Sequence, residues 1–202
     1  MDFSIPVPLY MIKAAHELLK TVEEHRYYIN CLQVEVKDDA ALLIATNGSI
    51  MLVQSIDLDA EIGRGSFTIP RKVLDQLPKA TKSNRDELYE LSESSAQGPD
   101  LSFGWKPEKI DYPNWRRVLP SDGYEKAFAK YDPKYILLFS KIAKTLHAPS
   151  CQILPNSEPH PALVTFDGVE QAFGVVMPIK MTEHSTKKPF EIWEQEFQEE
   201  AA

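Results

Sequence analysis

The sequence is short of the residues that most metal, redox and nucleotide chemistry requires. Cys31 and Cys151 are too few for a disulfide framework or a metal cage, and each sits in an apolar run where a small buried thiol is expected. The histidines are scattered without ligand spacing, no glycine-rich turn precedes a helix as in a phosphate loop, and no Ser-His pair has a motif around it. No catalysis, cofactor or metal is therefore expected. No apolar run approaches the roughly 18 residues of a membrane span, and the N-terminus lacks a basic segment followed by an apolar signal region. A cytoplasmic protein is expected.

What is present suits a globular protein: 202 residues with 43% apolar and 26% charged, enough for one large or two small cores. A net charge of −8 argues against a surface that grips nucleic acid everywhere. Part of that charge sits in residues 191–200, which carry five glutamates and no base, so a separate acidic tail is expected over 182–202. Within it, Phe190, Trp193 and Phe197 are spaced to share one side of a short helix, although a solvated tail is the plainer reading.

Hydrophobic period divides the rest into three similar rounds. Residues 2–7 read as an extended piece and Pro8 as the first turn of a helix over 9–22, with Ile12, Ala15, Leu19 and Val22 on one face and Lys13, His16 and Lys20 on another. Three β-rich runs follow at 27–36, 40–45 and 49–58, split by Asp38-Asp39 and by Asn47-Gly48, a strong hairpin signal. The second round has a strand at 66–70, a helix at 71–77 ended by Pro78, and strands at 88–91, 101–105 and 110–119, with 92–100 as a polar loop. In the last of these, Pro113 and Pro120 favour a rigid extended segment that would place Arg116 and Arg117 on opposite faces. The third begins with a strand at 127–131, and Asp132 caps a helix with Pro133 at its first position. That helix runs to 146 on Ile136, Phe139, Ile142, Ala143 and Leu146, with strands at 150–154, 162–166 and 172–179. Each round is thus strand, helix and three strands, an α+β plan with a repeat in architecture. Lysines recur on all three helices of an acidic protein. Lined up, Lys13, Lys20, Arg71, Lys72, Lys79, Lys134, Lys141 and Lys144 would make a positive face toward a phosphate backbone.

Five segments, 26–30, 45–48, 67–72, 112–120 and 175–181, resemble in order segments of the bacterial DNA polymerase III beta subunit, the ring-shaped sliding clamp. The resemblance implies a DNA-clamp fold, with helices on the inner face and β-sheets on the outer face. Residues 1–120 would be one complete clamp domain of two half-units, and 121–181 a third half-unit similar to the end of the family's last domain. The implied function is a processivity factor that encircles duplex DNA without sequence specificity and tethers a DNA polymerase, with a clamp loader as a further partner. Partner peptides would enter a hydrophobic groove formed here by Ile29, Thr46, Gly48, Ser49, Ile50, Met51, Pro113, Arg117, Val118, Val175, Val176, Met177, Pro178, Ile179, Lys180 and Met181. The family commonly has a basic residue in the loop that here reads Asn47-Gly48-Ser49-Ile50-Met51. Family rings contain twelve half-domains, so three per chain implies a homotetramer. The family also alternates two kinds of half-domain junction, and three halves per chain do not preserve that alternation, so a rebuilt interface is expected. The alternative is a clamp-like binding module that captures clamp partners without encircling DNA.

Overall fold

The computed structural model describes residues 4–120, 129–156 and 160–179. The acidic stretch 182–202, with the aromatic spacing noted above, lies outside them. Strand β1 (Ser4–Pro8) runs directly into helix α1 (Leu9–Leu19), which has no capping side chain. Its first free amides are met instead by the chain opposite: the Leu9 and Tyr10 N–H groups donate to the Glu87 and Arg85 carbonyls at 3.0 Å. Strands β2 (Cys31–Lys37), β3 (Ala40–Thr46) and β4 (Ile50–Asp57) form an antiparallel meander. The second round is β5 (Arg64–Pro70), the single-turn α2 (Arg71–Leu74), β6 (Leu88–Ser92), β7 (Ser95–Gln97) and β8 (Ser102–Gly104). The third is α3 (Pro133–Leu146), β9 (Cys151–Leu154), β10 (Ala162–Phe166) and β11 (Ala172–Val176).

The first two rounds exchange their opening strands. β1 pairs with β6 in a four-stranded sheet, β1-β6-β7-β8, while β5 pairs with β2 at one edge of a seven-stranded sheet, β5-β2-β3-β4-β11-β10-β9. The third round joins that larger sheet through β11, which lies antiparallel to β4 with Val175 opposite Met51 and Val176 opposite Ile50. Among the described residues every strand pairing is antiparallel, and the α+β plan read from the sequence holds.

Period-two alternation gives the larger sheet two buried faces. Leu43, Ala45, Ile50, Leu52 and Val176 point into the main core beneath α1 and α3. Their neighbours Ile44, Met51, Val53 and Val175 point the other way and form a second, smaller core with Trp115. Residues 111–119 cover that outer face and depart from the expected strand. Asn114 Oδ1 accepts the Arg116 N–H at 3.2 Å and starts a 3-10 turn over Trp115–Val118, so neither arginine belongs to a pleated strand. A strand here would put Trp115 in a ladder, whereas the turn seats it on the sheet, 7% exposed.

Other departures are local. Tyr27–Ile29 is a 3-10 turn ahead of β2. The helix at 9–22 ends at Leu19, and the helix at 71–77 is one turn. The polar loop at 92–100 contains β7, whose one buried residue is Ala96, too little apolar pattern to show in sequence. Of the expected strand at 127–131, Lys130 forms a single bridge to Ile179, and 127–128 lie outside the described residues. The buried stripe of α3 is Leu138, Phe139, Ile142, Ala143 and Leu146, and Ile136, assigned to that stripe from sequence, is 47% exposed. Cys31 is fully buried in β2 and its thiol is pushed up to about 12 by burial, whereas Cys151 is only half-buried.

Candidate functional site

The β3–β4 turn sets one wall of a groove. Asn47 Oδ1 accepts the Ser49 and Ile50 N–H groups at 3.0 Å each, and Gly48 sits at φ +89°, where a side chain is strained. A Cβ at Gly48 would also stand 2.6 Å from the Arg26 guanidinium, which donates to the Asn47 carbonyl at 3.0 Å. The floor is the β4–β11 seam, prolonged where the Met177 N–H donates to the Ser49 carbonyl at 3.0 Å. The far wall is the 111–119 segment. Trp115 Nε1 donates to Glu35 Oε1 at 2.9 Å, Arg116 forks onto the same carboxylate at 3.2 and 2.6 Å, and the Arg116 guanidinium lies 4.3 Å from the Trp115 ring centroid. Burial pushes the Glu35 carboxyl up, but the hydrogen bonds from Arg116 and Trp115 outweigh it and hold it below the usual range. Tyr112 O–H reaches the Ile44 carbonyl at 3.4 Å, and burial raises its phenol far above the ordinary value.

Together these elements enclose about 170 Å³, below the roughly 300–1,000 Å³ of small-molecule sites. Of the residues assigned from sequence, Ile29, Thr46, Gly48, Ser49, Ile50, Met51, Pro113, Val118, Val175 and Met177 meet here. Others do not. Val176 faces the main core at 1% exposure because strand alternation turns it away from Val175. Arg117, Pro178 and Ile179 do not line the groove, and Lys180 and Met181 lie outside the described residues. Arg26, Tyr28, Tyr112, Asn114 and Trp115 also line it, outside the expected groove set although each lies within a quoted segment, 26–30 or 112–120. Tyr28, Val118 and Met177 at its rim are 41%, 43% and 38% exposed, large apolar surfaces left open to solvent.

The helical face carries a different chemistry. A cleft of about 730 Å³ between α1, the loop after α2 and the end of α3 gathers Lys13, Lys20, Lys79, Lys82, Arg85 and Lys144 against two acids, Glu17 and Asp75. Lys82 and Arg85 were not legible in sequence because an irregular loop brings them there. A second cleft, beside the start of α3, holds Arg26, Lys134 and Lys141 with Glu23. Not every expected base is free. Lys13 Nζ donates to the Leu74 and Leu77 carbonyls at 3.0 and 2.9 Å, and burial lowers it to about 8. Arg71 donates to the Leu19 and Val22 carbonyls at the end of α1, and Lys72 is held by Glu108 at 2.8 Å. Lys20 contacts Glu17 at 2.6 Å and Lys134 contacts Asp132 at 2.9 Å, exposed pairs that contribute little.

His16, placed on a solvent face by sequence spacing, is 4% exposed with Nε2 2.7 Å from Asp75 Oδ1. Burial lowers its pKa from 6.5 and outweighs the Asp75 contact that raises it, with Lys13 and Lys20 lowering it further. The folded state therefore binds fewer protons than the unfolded one in acid, and stability falls as pH drops below about 6.5. Thermal melts from pH 8 to 5 should show this loss, and His16→Gln should flatten it. An unchanged slope in that variant assigns the acid sensitivity elsewhere.

No family model matches the chain. By sequence it is 26% identical over 137 residues to the beta sliding clamp of Proteus mirabilis, covering 65% of this chain and 37% of that protein. It is 26% identical over 101 residues to the clamp of Vibrio cholerae, covering 48% and 28%. The chain thus aligns with between 28% and 37% of these relatives' length. By structure, the DNA polymerase sliding clamp of Bacillus subtilis superposes with a TM-score of 0.69 at 15% identity, covering 89% of this chain and 65% of the other. A Pseudomonas aeruginosa clamp bound to griselimycin gives 0.64 at 16%, covering 90% and 66%. The chain is thus similar in sequence to bacterial beta sliding clamps and carries the α+β fold of the DNA sliding clamps.

Proposed function

We propose that this chain is a sliding-clamp processivity factor: residues 1–120 supply one complete clamp domain, 121–181 a third half-unit, and four chains a ring around duplex DNA. The observation that carries this reading is the division of labour between the faces of one sheet. Bases gather on the helical side, where weak phosphate contacts hold a duplex without reading its sequence, and an apolar groove opens on the opposite side. An acidic protein with a basic inner face retains DNA by enclosure and slides, because topology rather than affinity keeps it on. The groove takes a short peptide from a polymerase or loader. Met51 and Met177 give it adaptable walls. The protein acts in the cytoplasm and has no catalytic role of its own.

Two sets of variants test the two faces separately. Changing Lys20, Lys79 and Lys144, all exposed, to glutamate should abolish retention on nicked circular DNA while leaving peptide capture intact. Griselimycin, the ligand of the Pseudomonas clamp, serves as the groove probe. Val118→Glu with Met177→Glu should weaken its binding at least tenfold, measured by tryptophan fluorescence. Retention on circles that survives all three lysine reversals would remove DNA encirclement and leave partner capture as the function.

A further inference from the structure

We propose that a second copy of this chain docks on the free flank of α3 and the open edge of β9, about a two-fold axis, to complete a third clamp-like domain. The first two units supply the template. Each opening strand, β1 or β5, closes the edge of the first strand after the other unit's helix, β6 or β2. In the third unit that edge belongs to β9, and among the described residues nothing pairs with it on the side away from β10. Tyr131 of the segment that opens this unit, 129–132, packs on the main core, and among the described residues the segment's backbone pairs with another strand segment at the Lys130 bridge to Ile179. Neighbouring residues of an extended segment direct their backbone groups to opposite sides, so the other side of 129–132 can pair with β9 of a second copy.

The helices repeat the difference. Counting from the capping residues Pro8, Pro70 and Asp132, the fourth helical positions are Ile12, Leu74 and Ile136. Ile12 and Leu74 are both 0% exposed at the place where α1 meets α2, whereas Ile136 is 47% exposed. Position five of α1 is Lys13, bonded to the Leu74 and Leu77 carbonyls; position eight is His16, bonded to Asp75. Their counterparts on α3 are Leu137, 65% exposed, and Ser140, also exposed. Helix α1 does not supply the missing partner of Ile136 and Ser140, because α3 turns another flank, with Leu138, Lys141 and Thr145, toward the clefts beside α1; Leu137, still 65% exposed, also lines the cleft at the start of α3. The chemistry has changed in the direction a self-contact needs. The polar pairs of the α1–α2 contact require charged or ionisable partners, while Leu137 of each copy can meet Ser140 of the other across a two-fold without like-charge repulsion. The contact concerns assembly alone, goes beyond the proposed function, and is measured without DNA.

Light scattering of the full chain over a range of concentrations should give masses that are even multiples of one chain. Ile136→Glu with Leu137→Glu should raise the dissociation constant at least tenfold and shift the particle toward half its mass. Both residues are exposed in the single chain, so far-UV dichroism should not change. Since His16 meets Asp75, the eighth position of one helix reaches the fifth of its partner. A Leu137→Cys chain mixed with a Ser140→Cys chain should therefore yield a reducible dimer on mild oxidation, and Lys141→Cys, on the α1 flank, should not. A monomer at every concentration overturns the proposal. So does an even-numbered particle that ignores the glutamate pair and gives no cross-link. Protection of β9 amides in a monomer would assign that edge to the chain's own C-terminal segment instead.

Discussion

Phe139→Ala will destabilise the protein by about 3–5 kcal/mol, the range for truncating a buried aromatic side chain. Phe139 is 1% exposed, lies 6.2 Å from the Phe166 ring centroid at a tilt of 48°, and covers the one glycine of β11. A Cβ at Gly174 would fall inside contact distance of the Phe139 ring, so the ring occupies the space that a side chain there would fill. Removing the ring leaves a void between α3 and β11 that backbone hydrogen bonding to β4 prevents from collapsing. Urea unfolding followed by tryptophan fluorescence and by far-UV dichroism tests this. A loss below about 1 kcal/mol would show that α3 is not anchored at this point. The converse substitution, Gly174→Ala, should cost about 1–3 kcal/mol by overpacking, and combining it with Phe139→Leu should recover part of that loss.

Trp115→Ala should have a comparable cost, about 3–5 kcal/mol, and an added consequence for binding. Trp115 is the central side chain of the outer core and one of the two groups that hold Glu35. Without it, Arg116 keeps its carboxylate partner but loses the ring beneath it, and Tyr112 and Val118 lose the wall they stand against. Under the proposed function, griselimycin binding should then vanish even where the protein remains folded. Trp115→Phe separates the two effects, because it retains most of the packing and gives up the Glu35 hydrogen bond, worth about 1 kcal/mol. Normal binding by the alanine variant would mean that the groove does not depend on residues 111–119.

Much of the fold was legible because it is built from period and punctuation. Asp132-Pro133 marked the start of α3 and Leu146 its end, Asn47-Gly48 marked the β3–β4 turn, and β10 matched its alternating run residue for residue. The groove was legible in its strand residues and misread where a contiguous run was assigned to one face. Val175 and Val176 belong to opposite layers of the sheet, and only the pleat separates them. Residues 110–119 misled for another reason. Alternating apolar residues and flanking prolines also describe a segment that lies across a sheet, and Asn114 decides the matter by a hydrogen bond that no periodicity records. Lys13 and His16 depart from expectation for a similar reason. Their spacing was right for one helix face, but the face of α1 that bears Lys13 and His16 is covered by α2. Ile136 is the converse, a core residue by its spacing that stands 47% exposed.

The exchange of opening strands between the first two units also bears on polarity. Chains placed head to tail, three halves each, break the alternation of junctions that the sequence resemblance requires. Chains that meet through two-fold contacts restore it, since each contact reverses the order of halves: at one end the 129–132 segment of each copy meets β9 of the other, and at the opposite end the β8 edges of two copies meet. A tetramer closed in this manner has no front and no back. Its four grooves divide between the two rims, and an enzyme carried by either rim meets the same surface whichever way the ring was threaded.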